Sequence, residues 1–345
     1  MTVPTSSQGI GRISPTRLRR LLSCPLGVAF DQARRPGRRS GGSPAALVGT
    51  AVHRCIEALL RDRSQTLEGA WELTCQTMAT EGNDPTQAPN SRRAFSRLRR
   101  RVPALLELVD DAEWTGEPLI EECLTSNDGI FEGKPDLVLV GQRRLLVVDY
   151  KSGFVSDDGA VEEDYSDQLL LYAHLSAEVH GIDSVDAFLL SLREGLVPVD
   201  VSEEQRGQYV QRAIDEVQAY DQRVPGLQPA TPSEDVCHWC NHACACDHLW
   251  DEIGKGQVLE PWGGHALEGE LLDSPTTARN NLSAARIRVE RGTVAGDVTV
   301  SDIPQGSTGG MSEGSRVRIV GLRQIRDDSH GLAWVGHKSQ YLAFP

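Results

Sequence analysis

The chain has 345 residues, of which 39% are hydrophobic and 24% charged, with a formal net charge of −14. That length suits one large domain and a small one, and no run approaches the ~18–20 apolar residues of a membrane span. The opening MTVPTSSQGIGRISP lacks the apolar core of a secretory leader, so a cytoplasmic location with no membrane partner is expected.

Ile13–Leu22 reads as a short helix, with Ser14 as N-cap and Pro15 at the first helical position. Cys24-Pro25 ends it, and residues 34–44 form a loop of Gly, Pro, Ser and Arg. Leu47–Leu60 has helical apolar spacing. A polar, mainly helical stretch runs on to Val109, broken at Gly82–Asn90. Strand signals then gather at Leu119–Leu124, Gly133–Val140 and Leu145–Tyr150, the last two joined tightly through Gly141-Gln142. Tyr165–Val179 reads as a helix, Val185–Leu192 and Val197–Val201 as strands, and Glu203–Arg223 as an amphipathic helix with a Ser202/Gln205 capping box. This order predicts an α/β fold, a mixed sheet core flanked by helices. Residues 254–275 read as a Gly/Pro-rich linker. Short β-type runs between Gly-rich turns from Ala284 to Phe344 predict a small β-barrel. The expected domains are therefore 1–252, a 253–275 linker and 276–345. No GxxxxGK[ST] phosphate loop is present, so the chain carries no P-loop motor.

Two strands carry the chemistry. GKPDLVLV (Gly133–Val140) and VVDYKSG (Val147–Gly153) place Asp136, Asp149 and Lys151 at one end of a hairpin. Residues i and i+2 of a strand share a face, so Asp149 and Lys151 point together. Unpartnered buried charges are costly. A divalent cation, Mg²⁺ or Mn²⁺, takes carboxylate oxygens as ligands, and a lysine beside it holds an anion or a water. His53 offers an imidazole and Tyr150 a backbone carbonyl to the same metal. Gln168 and Tyr172, four apart on a helix, share a face suited to orienting the phosphate or the lysine. Glu121 and Glu122 are candidate supporting carboxylates. His53 alone is more often an ordinary partly buried histidine.

The net charge hides an asymmetry. Residues 1–101 hold 17 basic and 7 acidic residues, and residues 102–345 hold 18 and 42. The basic side is nearly all arginine, whose fork fits phosphate. Arg17, Arg19 and Arg20 come first, then Arg34, Arg35, Arg38 and Arg39, then Arg92, Arg93, Arg97, Arg99, Arg100 and Arg101. A solvated helix face explains such a run equally well.

Eight cysteines in a cytoplasmic chain favour metal or redox use over disulfides. Cys237-x2-Cys240-x5-Cys246, with Cys244 inside it, suits Zn²⁺ or an iron–sulfur cluster. Cys55, Cys75 and Cys123 read as ordinary buried thiols.

In this order, ISPTRLRRLLSCP, GTAVHRCIE, GKPDLVLV, VVDYKSG, QLLLY and the cysteine run resemble the PD-(D/E)XK nucleases of the RecB-like branch. Within that branch the chain looks like the CRISPR-associated adaptation exonucleases and the AddB-type nuclease modules with an iron–sulfur staple. The resemblance spans about residues 12–250 and implies a restriction-endonuclease-like core. It also implies a 4Fe–4S cluster on Cys24, Cys237, Cys240 and Cys246 that staples the two ends of the nuclease around a DNA strand. Asp136, Asp149, Lys151, Gln168 and Tyr172 would then be catalytic, with His53, Asp136, Asp149 and Tyr150 on Mg²⁺ or Mn²⁺. Arg17, Arg19 and Arg20 would bind DNA. The expected activity is exonucleolytic hydrolysis of single-stranded DNA ends, in repair, recombination or CRISPR spacer capture, with a helicase or an adaptation protein as candidate partner. A non-catalytic iron–sulfur DNA-binding module is the alternative. Cys244 leaves open a local four-cysteine site without Cys24, and zinc in place of iron. The C-terminal barrel resembles an OB-fold, with Trp334, Tyr341 and Phe344 either stacking on bases or filling the barrel core.

Overall fold

The computed structural model describes residues 6, 8–33, 44–153, 155–157, 160–257, 259–277, 282–304, 311–325, 331–335 and 339–344. Arg34, Arg35, Arg38 and Arg39 of the expected basic loop lie outside these residues. The first helices are α1 (Pro15–Ser23), α2 (Pro25–Gln32), α3 (Pro44–Arg61), α4 (Leu67–Thr80) and α5 (Ser91–Val109). Strands β1 (Leu119–Ile120), β2 (Leu124–Thr125), β3 (Glu132–Gly133), β4 (Leu137–Val140), β5 (Leu145–Lys151), β6 (Ser156–Asp157) and β7 (Ala160–Val161) follow. Then come α6 (Glu163–His180), β8 (Val185–Ser191), β9 (Gly195–Val199), α7 (Glu203–Gln222), α8 (Glu234–His238) and α9 (Asp247–Gly254). The last strands are β10 (His265–Leu271), β11 (Thr276–Thr277), β12 (Leu282–Gly292), β13 (Gly296–Pro304), β14 (Arg316–Gln324), β15 (Gly331–Ala333) and β16 (Gln340–Phe344). Two compact units result. A sheet unit holds Ile10–Arg19 and Ser43–Ala219, and a barrel unit holds Met1–Gly9, Arg20–Gly42 and Tyr220–Pro345.

The sheet unit is built on five strands in the order β1-β4-β5-β8-β9. β5 and β8 are parallel and the other neighbours antiparallel. A parallel pair needs a crossover, and α6 provides it. The near-continuous apolar runs of β4 and β5 follow from burial on both faces. Leu137, Leu139, Leu146 and Val148 pack with Val52 and Ile56 of α3 and Leu98 and Val102 of α5. On the opposite face Val138, Val147 and Leu189 meet Leu169, Tyr172 and Ala173 of α6. Each such side chain contributes about 1.5–3 kcal/mol through burial. The period-2 alternation that points Val147 at α6 points Asp149 and Lys151 there too.

Two expected strands are interrupted. Leu119–Leu124 breaks after Ile120 because Glu121 takes a left-handed backbone, φ 50, which costs an ordinary residue about 1–2 kcal/mol. Gly133–Val140 divides into β3 and β4 around Lys134-Pro135, since proline has no N–H for the ladder. A Cβ on Gly133 would stand 2.8 Å from Leu175 Cδ1 and 2.9 Å from the Tyr172 ring, so glycine is what lets α6 close onto β3.

In the barrel unit β10, β12, β13, β15 and β14 close into a five-stranded barrel, with β14 returning to β10. Only the β13–β15 contact among these is parallel. β11 adds to β12 and β16 to β14. The span expected as a linker, 253–275, therefore contains the barrel's first strand, and the barrel starts before 276. Its sequence, HALEGEL, hides the strand for two reasons. Glu268 is a buried charge paired with arginines. Gly269 is demanded by close strand approach, since a Cβ there would lie 2.1 Å from the Arg288 carbonyl oxygen. The cysteine segment belongs to this same unit, which departs from the expected break near residue 252. Trp334 is 6% exposed and sits in the barrel core with Leu267, Ile287 and Ile319, its ring edge-on to Tyr341. Core filling, not base stacking, accounts for it. The Phe344 ring lies against the Arg318 guanidinium.

Candidate active site

The site of the sheet unit is assembled from α3, the turn after β1, the entry to β4, the end of β5, and α6. Asp136 precedes β4 and is held from two sides. Its Oδ2 accepts the Tyr150 backbone N–H at 2.6 Å, and its Oδ1 lies 3.1 Å from His53 Nδ1. On β5, Asp149 is 3% exposed. Its Oδ1 accepts from Gln168 Nε2 at 3.1 Å, and its Oδ2 lies 2.7 Å from Lys151 Nζ with no hydrogen bond aligned on it. Lys151 donates to Gln168 Oε1 at 2.9 Å and lies over the Tyr165 ring. Gln168 Nε2 also donates to Tyr172 Oη at 3.1 Å. The amide of Gln168 thus faces carboxylate and ammonium at once, which fixes its orientation. The i, i+4 spacing on α6 brings Tyr172 into the same cluster.

Sequence reasoning gives Glu121 only a supporting role. The structure places one of its carboxylate oxygens with His53 and Asp136, ligand atoms of all three within 4.8 Å of one another. Its left-handed backbone aims it there, and Lys134 Nζ pairs with it at 2.5 Å. The signal in the sequence is faint: an acid directly after a short apolar strand, followed at a distance by Lys-Pro. Asp149, expected beside Asp136 on a metal, lies outside this group of three, with its oxygens on Gln168 and Lys151. The Tyr150 side chain is buried against His53, ring edge to ring face, and only its main chain borders the carboxylates.

Burial pushes the Asp149 carboxyl up to about 6, against the pull of the Lys151 ammonium and with Asp136 adding to the rise. At His53 burial acts downward, but the hydrogen bond to Asp136 and the charges of Asp136 and Asp149 leave the imidazole above its ordinary value. A poorly satisfied buried carboxylate beside a three-residue oxygen–nitrogen set is the donor chemistry of a hard divalent cation.

The cysteines of the barrel unit form a second cluster. Cys24 caps α2, whose Leu26 N–H donates to the Pro229 carbonyl at 2.9 Å. Cys24 and Cys246 both pack on Leu26, Ala29 and Phe30. Burial pushes the Cys246 thiol up to about 12, with Cys240, Cys24 and Cys237 adding to the rise. Cys237 is raised to about 11 by burial, with Cys240 and Cys24 adding. Cys244 turns to the barrel, where its sulfur takes the Val320 N–H and burial pushes it up to about 12.

The three arginines expected to meet DNA make different contacts. Arg17 donates to the Arg12 carbonyl at 3.4 Å, and Arg19 pairs with Asp164. Arg20 pairs with Asp31 at 3.0 Å and reaches Cys240 Sγ at 3.8 Å. Asp31 also holds His242 Nε2 at 2.7 Å, and the His242 backbone N–H donates to Cys240 Sγ at 3.4 Å.

The family model of the PD-(D/E)XK nuclease superfamily matches residues 12–247, and the chain belongs to that superfamily. The match covers the sheet with Asp136, Asp149 and Lys151 and extends through the cysteine run. No curated protein matches the chain. Among solved structures, SSO0001 is 12% identical at a TM-score of 0.29, the match covering 58% of this chain and 84% of that one. An alkaline exonuclease (LHK-Exo) from Laribacter hongkongensis is 9% identical at a TM-score of 0.24, covering 62% and 93%. Likeness at these scores is distant and decides nothing about activity. No helix among the described residues is long and apolar enough to cross a membrane.

Proposed function

We propose that the protein is a metal-dependent DNA exonuclease of the RecB-like branch, acting on single-stranded ends. The observation that carries this reading is the meeting of Asp136, Asp149 and Lys151 with His53 and Glu121 at one end of the sheet. His53, Glu121 and Asp136 would hold Mg²⁺ or Mn²⁺, joined by Asp149 and the Tyr150 carbonyl. A cation there supplies Lewis acidity to the scissile phosphate and lowers the pKa of attacking water. Lys151 orients that water or neutralises the developing charge on phosphate. Gln168, anchored by Tyr172 and Asp149, holds the ammonium in place. The site suits end processing in repair, recombination or CRISPR spacer capture, with a helicase or adaptation protein as partner.

Protons compete with the cation for these ligands. Asp149 must ionise and His53 must be neutral, so Mn²⁺ affinity should climb as pH rises through about 6 and level off only once His53 has lost its proton. Calorimetric titration with Mn²⁺ from about pH 5 to about pH 8 reads this directly, and a flat affinity would remove Asp149 and His53 from the metal. In the metal-free protein the sign for stability is opposite. The folded state keeps the Asp149 proton longer than the unfolded chain, so this group's contribution falls as pH rises from about 4 to about 6.

The same reading gives Cys24, Cys237, Cys240 and Cys246 a structural 4Fe–4S cluster. The support is that Cys24 adds to the burial-driven rise of Cys237, Cys240 and Cys246, whereas at Cys244, which faces the barrel, Cys240 is the one cysteine that adds to it. Cys24→Ser, purified without oxygen, is expected to lose the broad absorption near ~400 nm and its iron, while Cys244→Ser keeps both. A colourless zinc-loaded wild type, or full iron content in Cys24→Ser, would discard this ligand set.

A further inference from the structure

The sheet unit carries a second cationic site apart from the carboxylates. Arg97, Arg100 and Arg101 of α5 line a cleft of about 340 Å³ together with Leu192 and Arg193, which follow β8. Its walls are fixed. Arg101 Nη2 donates to the Arg193 carbonyl at 2.6 Å, and α5 is anchored by Leu98, Val102 and Leu105 in the core that includes Leu192. Many arginines of this region are satisfied by acids: Arg99 by Glu68, Arg54 by Glu81, Arg61 by Glu57 and Arg63 by Asp110. Among the described residues no carboxylate pairs with Arg97, Arg100 or Arg101. The adjacent acid, Glu194, accepts the Val155 N–H at 3.1 Å. Burial and then the guanidinium groups of Arg193 and Arg93 depress the Arg97 pKa.

Clustered cations repel, and an anion between them relieves that cost. Guanidinium forks favour an anion with several acceptor oxygens in bidentate geometry, and phosphate has that form. The cleft is also placed for a strand. Leu192 N–H donates to the Lys151 carbonyl at 3.0 Å, and Ser191 is the register partner of Lys151 on β8. Leu192 of the cleft is thus one backbone hydrogen bond from Lys151, whose side chain turns to α6 on the other face of the sheet.

We propose that the cleft of Arg97, Arg100, Arg101 and Arg193 binds a phosphate of the nucleic-acid strand other than the one cleaved, and so sets the strand's path past Lys151. This rests on the reading of the chain as a nuclease. The phosphate is either a terminal one or an internal phosphodiester.

The test uses the full chain in EDTA and single strands carrying a 3′ fluorophore and either a 5′-phosphate or a 5′-hydroxyl. Binding is followed by anisotropy across a salt series for wild type, Arg97→Gln/Arg100→Gln and Arg193→Gln, with circular dichroism as the check on folding. Each variant is expected to bind roughly tenfold or more weakly, with a salt slope shallower by about 0.7 for each phosphate no longer neutralised. A loss confined to the 5′-phosphorylated strand assigns the cleft to a terminal phosphate, and an equal loss on both assigns it to an internal one. Unchanged affinity and slope in folded variants overturn the proposal, as does a wild type that binds neither strand. Arg193→Gln lies on a different element, so it still decides the matter if the α5 variant misfolds. Weaker binding by the variants with no metal-dependent cleavage by wild type would sink the nuclease reading and leave the cleft standing. Normal cleavage with unaltered binding would do the reverse.

Discussion

Lys151→Ala should lower metal-dependent DNA cleavage by at least about 10³-fold while leaving the fold and strand binding in place. The ammonium contacts Asp149 at 2.7 Å and Gln168 at 2.9 Å, which sets a cation beside the carboxylates proposed to hold the metal. Its removal also strips Asp149 of the charge that holds down a carboxyl already raised to about 6, so some loss will come through weaker metal binding. Saturating Mn²⁺ separates the two effects, because only the binding part recovers. Gln168→Ala, which frees the ammonium without deleting it, should fall between wild type and Lys151→Ala. The measurement is loss of label from 5′- and 3′-labelled single strands with Mn²⁺, Mg²⁺ or EDTA. The label lost first gives the direction of digestion. Cleavage by Lys151→Ala at wild-type rate would move the chemistry elsewhere and favour a DNA-binding module.

The second large effect concerns stability of the barrel unit. Glu268 and Arg318 are 3% and 5% exposed and pair at 3.1 Å. Arg291 and Arg316 also reach Glu268, while Arg318 extends to Asp247 at 2.8 Å and to the Cys244 carbonyl at 3.3 Å. Such a network is secure only when complete, since a buried ion left alone keeps its desolvation cost. Glu268→Ala is therefore expected to destabilise this unit by about 3–5 kcal/mol. Glu268→Met with Arg318→Met should recover much of that by replacing ions with packed apolar groups. Denaturant unfolding followed by tryptophan fluorescence would report it, with Trp250 beside Arg318 as a local probe. A change under about 0.5 kcal/mol in Glu268→Ala would mean that water reaches the network.

Legibility followed physical locality. Helices such as α3, α6 and α7 and strands such as β5 and β8 are readable because apolar period and capping act within a few residues. The Asp149–Lys151 pair is readable for the same reason. Glu121 is not, because its role depends on a left-handed backbone that no neighbouring glycine announces. β10 is hidden because its buried glutamate is satisfied by arginines about 20 to 50 residues away in sequence. The arginine excess is visible in composition, but composition cannot sort ion-paired from gathered side chains. Arg20, grouped with DNA-binding residues on sequence grounds, stands at Cys240 because Asp31 holds it there.

The β4–β5 hairpin separates chemistry from tolerance along its own length. Asp136, Asp149 and Lys151 lie at the open end, and Tyr150 lends its main chain to Asp136. The connection at Gly141–Arg144 lies at the opposite end, where Gln142 and Arg143 face solvent. A one-residue insertion within either strand would turn the side chains proposed as catalytic to the wrong face. An insertion between Gln142 and Arg143 only lengthens a surface turn. That turn is accordingly the place to graft a fluorophore tag or a split-protein junction that reports on the sheet without disturbing its chemistry.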